Sequence, residues 1–137
     1  METQKSDYML LFRGTNWDRN LSPDQLQKVI SDWYSWFDGL IKEGKAVSGH
    51  PLMNEGKLVS AKNGRTTVAD GPFAESKEAI GGYFYLHIDD MEEALAIAKN
   101  CPGLEFGVVV EVRPVADMCA GGKRVQEKRG QLAEAIA

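Results

Sequence analysis

Leu26, Val29, Ile30, Trp33, Trp36, Phe37, Leu40 and Ile41 recur three and four residues apart, the spacing that paints one face of a long α-helix. So wide an apolar face has to be buried, and the segment before it indicates against what. Tyr8 to Arg13 repeats with a period of two, with Tyr8, Leu10 and Phe12 on one side and Met9, Leu11 and Arg13 on the other, which predicts a strand buried mostly on both sides. Ser22-Pro23-Asp24-Gln25 starts the helix: Ser22 caps it, Pro23 suits its first position and Gln25 reaches back to the cap. Gly44 ends it. A long amphipathic helix next to such strands requires a layered α+β domain.

The remaining segments extend this pattern. Ala46 to Gly49 reads as a short strand running into His50-Pro51-Leu52, where proline confines the pairing to an end or an edge. Lys57 to Lys62 and Arg65 to Ala69 form a hairpin across Asn63-Gly64, a pair suited to the positive backbone angles of a tight turn. Gly82 to Ile88 is a strand with Tyr83, Tyr85 and His87 on one face and Phe84, Leu86 and Ile88 on the other. Asp90 caps a second helix with Glu93 three residues on, Cys101-Pro102-Gly103 breaks it, and Gly107 to Val112 is the closing strand. This order predicts a ferredoxin-like antiparallel sheet with two helices on one face. The other face keeps Met9, Leu11, Tyr85 and Val109, so a homodimer with two sheets face to face is expected.

At 137 residues, 43% of them hydrophobic, the chain suits one domain with one core. Its formal net charge of −4 argues against direct binding of nucleic acid, which depends on clustered cations. Lys123, Arg124, Lys128 and Arg129, with Glu127 among them, read as a solvated helix face or tail. The chain has no run of about eighteen apolar residues and its first residues are polar, so no membrane span and a cytoplasmic location are expected. Cys101 and Cys119 read as free thiols. Two distant histidines and no repeated Cys or His spacing predict no metal, and without a glycine-rich phosphate loop no cofactor is expected.

Asp70-Gly71-Pro72-Phe73-Ala74-Glu75-Ser76-Lys77-Glu78 resembles the stretch that names the DGPF branch of the YCII-related family, with Ser76 where threonine usually stands. Gly81-Gly82-Tyr83, Asp89-Asp90 with Glu93-Ala94, Cys101-Pro102 and Glu111-Val112-Arg113-Pro114-Val115 follow in the family's order. The resemblance runs from about Tyr8 to Val115, which divides the chain into a domain over 1–116 and an extension over 117–137. It implies a dimeric α/β barrel, related in shape to small dimeric monooxygenases and to muconolactone isomerase. It also implies a His/Asp pair in some members and association with extracytoplasmic-function sigma factors in others. The first helix here carries Asp32-Trp33-Tyr34-Ser35-Trp36 where the helical histidine of that pair is expected.

Asp70, at a strand end where a loop opens, is the first candidate for a general base, and an Asp before Gly-Pro equally suits a bond to its own turn. His50, in a glycine-proline loop, is its candidate partner in proton transfer. Arg113, Glu111, Arg13 and Phe73 are the candidate ligand-binding residues. Arg113 and Glu111 share a strand face, and a paired arginine can also hold an anionic group. His87 reads as a core or interface histidine, and Trp33, Trp36 and Phe37 as helix packing. The expected function is cofactor-independent acid/base chemistry on a small molecule. The alternative is a ligand-binding or regulatory module that meets a sigma factor, and an oxygen-using monooxygenase rests on shape alone.

Overall fold

The computed structural model describes residues 5–71 and 79–136. Six strands and three α-helices lie among them: β1 (Ser6–Arg13), α1 (Pro23–Lys42), β2 (Ala46–Pro51), β3 (Lys57–Lys62), β4 (Arg65–Asp70), β5 (Ile80–Ile88), α2 (Met91–Ala98), β6 (Val109–Pro114) and α3 (Ala120–Ile136). β2, β5, β1 and β6 pair in that order, every neighbour antiparallel, while β3 and β4 pair only with each other. The fold is therefore mixed α+β around an antiparallel sheet.

Local chemistry explains the element ends. The Ser22 side chain accepts from the Gln25 N–H and the Gln25 side chain accepts from the Ser22 N–H, so the reciprocal cap of α1 is complete. At the other end Gly44, at φ 75°, bonds Ile41 while Lys45 bonds Leu40, which turns the chain straight into β2. Asp90 caps α2 through the Glu93 N–H at 2.9 Å. β1 starts at Ser6, and β2, β4 and β6 end one or two residues beyond the sequence expectation, and two further boundaries have a local cause. β5 begins two residues early, at Ile80, because an irregularity lets Ile80 pair with Arg13 after Gly82 has paired with Phe12. β6 begins two residues late, because Gly107 takes φ 100° to close the 3-10 turn Leu104–Phe106. Ala120–Ile136 forms the third helix, whose described side chains are almost all exposed.

Strand alternation sorts the sheet into two unlike faces. Tyr8, Leu10, Phe12, Phe84, Leu86 and Ile88 are buried with Leu40, Ala94, Ile97 and Ala98 of the helices. Leu10, Leu86 and Ile88 are shielded almost completely, and each such side chain contributes roughly 1.5–3 kcal/mol on burial. Phe84 is the hub, with ring centroids 4.8 Å from Phe12, 4.9 Å from Trp36 and 4.5 Å from Phe37. Glycine at 49 permits this packing: a Cβ there would meet Phe84 at 2.8 Å, Phe37 at 2.9 Å and the Tyr83 carbonyl oxygen at 2.9 Å.

Two outcomes follow from this packing. Gly49→Ala is expected to lower unfolding free energy by about 1–3 kcal/mol in urea titration, the usual cost of overpacking. Burial pushes the Cys101 thiol up to about 11, so little reactive thiolate exists near neutral pH. A thiol reagent should therefore label exposed Cys119 quickly and Cys101 only on unfolding. Two equally fast thiols would contradict the packing.

Candidate functional site

Where α1 leaves the sheet, its aromatic stripe and the glycines of β2 and β5 leave a cavity of about 260 Å³. Trp33, Tyr34 and Phe37 of α1 form one wall, and Gly49, Gly81 and Gly82 line the strand side. Trp17 comes in from the loop after β1, stacked on Trp33 at 6.0 Å and on Phe106 at 6.5 Å. The lining is mostly apolar, and His50 and Tyr83 stand at its edge. Their side chains are joined, His50 Nδ1 to the Tyr83 hydroxyl at 2.8 Å. Gly49 faces Phe37 and Phe84, so alternation carries His50 toward the other side of β2. β2 is an edge strand, and His50 is among the residues that line the cavity.

The helix-free face carries a second constellation. Asp7 lies opposite His87 in the β1–β5 register. Its two carboxylate oxygens accept separately, one from the Tyr85 hydroxyl at 2.6 Å and the other from His87 Nδ1 at 2.6 Å. The Tyr85 bond first, then the His87 bond, holds the Asp7 carboxyl below its ordinary range, and the same Asp7 contact pushes the Tyr85 hydroxyl up. Further along this face Arg13 pairs with one oxygen of Glu111, and Arg113 Nε approaches the other at 3.8 Å.

The structure separates the residues singled out from sequence. His50 is at the cavity edge. Asp70 ends β4, with its side chain 82% exposed and paired to Lys57, and no hydrogen bond or ion pair joins it to His50. Arg13, Glu111 and Arg113 come together as expected, but on the helix-free face and outside the cavity lining. Phe73 lies outside the described residues. Trp33 and Phe37 pack on the core and also wall the cavity. Sequence reasoning missed Asp7, Trp17 and the role of Tyr85. A lone tryptophan in a loop was a usable signal for Trp17, whereas Asp7 shows its meaning only once strand register sets it against His87. No group of three or more His, Cys, Asp or Glu side chains suited to a metal occurs among the described residues, and no described helix is long and apolar enough to cross a membrane.

The Asp7 bonds give a signed pH dependence. A depressed carboxyl value means that their stabilisation is present above the ordinary value of 3.8 and is lost as pH falls through the lower folded value. Unfolding titrations from pH 6 to pH 2 should show a steeper acid loss in the native protein than in Asp7→Asn. Superimposable slopes would show that the carboxylate gains nothing from Tyr85 and His87.

Comparison with known proteins agrees with this architecture. A family model described as the YCII-related domain matches residues 8–119. An uncharacterised protein of Rhizobium meliloti (strain 1021) is 39% identical over 54 residues, which are 39% of this chain and 44% of that relative. The match thus spans less than half of the relative's length. With the family model covering most of the chain, including strands β2 to β6 and most of β1, the chain belongs to the YCII-related family.

Proposed function

We propose that this protein binds a small, planar, largely apolar molecule in the cavity between α1 and the sheet and acts on it by proton transfer without a cofactor. The observation that carries the reading is the hydrogen bond between His50 and Tyr83, two residues that line an aromatic-walled cavity. A cavity of about 150 Å³ already holds a benzene-sized molecule, so the space here suits one substituted ring. His50 is the base, its orientation set by the Tyr83 hydroxyl, and Trp17, Trp33 and Phe37 exclude water from the ring. Asp70 receives no role in this step, since its carboxylate is paired with Lys57 on the hairpin.

The finer architecture belongs to the same proposal. The strand order, with the β3–β4 hairpin set apart, supports a ferredoxin-like sheet, and Met9, Leu11, Tyr83 and Tyr85 on the helix-free face support a homodimer of the α/β-barrel type. Membership of the DGPF branch is carried by the letters from Asp70 to Glu78, and sigma-factor association by the resemblance alone.

5-Nitrobenzisoxazole, a planar substrate opened by removal of one proton from carbon, tests the chemistry. Saturable turnover above the buffer rate is expected, with His50→Ala losing on the order of 100-fold, the lower end of what a positioned base supplies. Gly81→Leu, whose Cβ would sit in ordinary contact 3.9 Å from Thr15 and the Phe12 and Gly14 carbonyl oxygens and which adds bulk to a residue lining the cavity, should raise KM. Turnover unaffected by both substitutions would overturn the assignment.

A further inference from the structure

The Tyr85–Asp7–His87 constellation lies outside the cavity and has no part in the proposed step. A carboxylate can only accept, so the proton on the 2.6 Å bond to Asp7 sits on His87 Nδ1. In the neutral ring this leaves the lone pair on Nε2, on a side chain that is about half exposed. The Tyr85 hydroxyl occupies the second Asp7 oxygen, so the carboxylate cannot swing away from the imidazole. Two oriented donors on one acceptor, with a free basic nitrogen beyond, is the arrangement that holds a histidine in one tautomer and stabilises the imidazolium once it forms.

The same face supplies a recognition element. Arg113 lies opposite Met9 on β6, and Met9 lies opposite Tyr85 on β5. Arg113 is therefore two strand spacings from Tyr85, about 10 Å, and one cross-strand pair further from His87, which lies opposite Asp7. Its side chain is 69% exposed, and its described partner is Glu111 at 3.8 Å, whose other oxygen is bonded by Arg13. Two arginines thus share one glutamate, and guanidinium donors remain for an anion. The other groups on this face are Tyr83 and His50, bonded to each other, and Ser48. Lys45 meets His87 only through its backbone carbonyl, while its ammonium faces Glu43 and Glu93.

We propose that Asp7, Tyr85, His87 and Arg113 form a second site, which binds a small molecule bearing a phosphate or carboxylate and accepts a proton from it at His87 Nε2. The proton passes from the bound acid to Nε2, its electron pair stays on the ligand, and the imidazolium is held by Asp7. Asp7 and Tyr85 are positioning residues; His87 and Arg113 touch the ligand. In a dimer with sheets face to face, this site would line the space between the two copies.

Nitrogen-15 NMR of the imidazoles in the intact protein, with inorganic phosphate as the probe, tests the site. Neutral His87 is expected as the Nδ1–H tautomer, and Asp7→Asn should shift it toward Nε2–H, with Tyr85→Phe moving it in the same direction by less. Phosphate should shift the His87 resonances saturably, and Arg113→Gln should weaken that titration about tenfold while leaving the tautomer unchanged. An Nε2–H tautomer in the native protein, no response to phosphate, or a response identical in Arg113→Gln would each overturn the proposal. Because His50 is observed separately in the same spectra, failure here leaves the cavity reading standing, and the reverse also holds.

Discussion

The contacts of Phe84 with Phe12, Trp36 and Phe37 decide how α1 rests on the sheet. Three aromatic neighbours in edge-on or tilted contact contribute beyond their area burial. They fix the height of the helix above β5 to within the thickness of a ring. Gly49 is a condition of that approach, because a Cβ there would overlap both Phe37 and Phe84. The cavity lies beside Phe84, lined on β5 by Gly81 and Gly82 and bounded by Phe12, whose ring packs on Trp33 at 5.0 Å. Packing and ligand space are thus two ends of one aromatic stripe.

Alternation along β5 then allots different chemistry to the two faces. Phe84, Leu86 and Ile88 close the core, while Tyr83, Tyr85 and His87 project the other way and find polar partners in His50 and Asp7. No polar or charged residue among those described is buried as a whole, although Arg13 Nε and Trp36 Nε1 are buried atoms without a hydrogen-bond partner. The face that the helices leave open is therefore not plain apolar surface awaiting a partner. It combines Met9 and Leu11 with an ordered stripe of imidazole, phenol, carboxylate and guanidinium.

Much of this was legible in the sequence, for identifiable reasons. The α1 stripe, the Ser22 cap, the Asn63-Gly64 turn and the β5 alternation are local signals, and the structure reproduces each of them, with Asn63 and Gly64 both at positive φ. Boundaries moved where a non-local partner mattered, as when pairing with Arg13 drew Ile80 into β5. Glu111 and Arg113 were placed on one face by strand parity, and register adds Arg13 to them. Asp7 was not found, because its partner is eighty residues away and only register brings them together. His87 read as an ordinary interface histidine for the same reason.

The central claim is that the space beside Phe84 holds a planar molecule with His50 at its edge. The most direct measurement is a crystal structure of the protein soaked with phenol. The account predicts ring density between Trp33, Phe37 and the Gly81-Gly82 backbone, with the phenol hydroxyl within hydrogen-bond distance of His50 or Tyr83. Phenol absent from a well-occupied crystal, with Trp33 or Trp17 folded into the space, would show that the aromatic stripe serves packing alone.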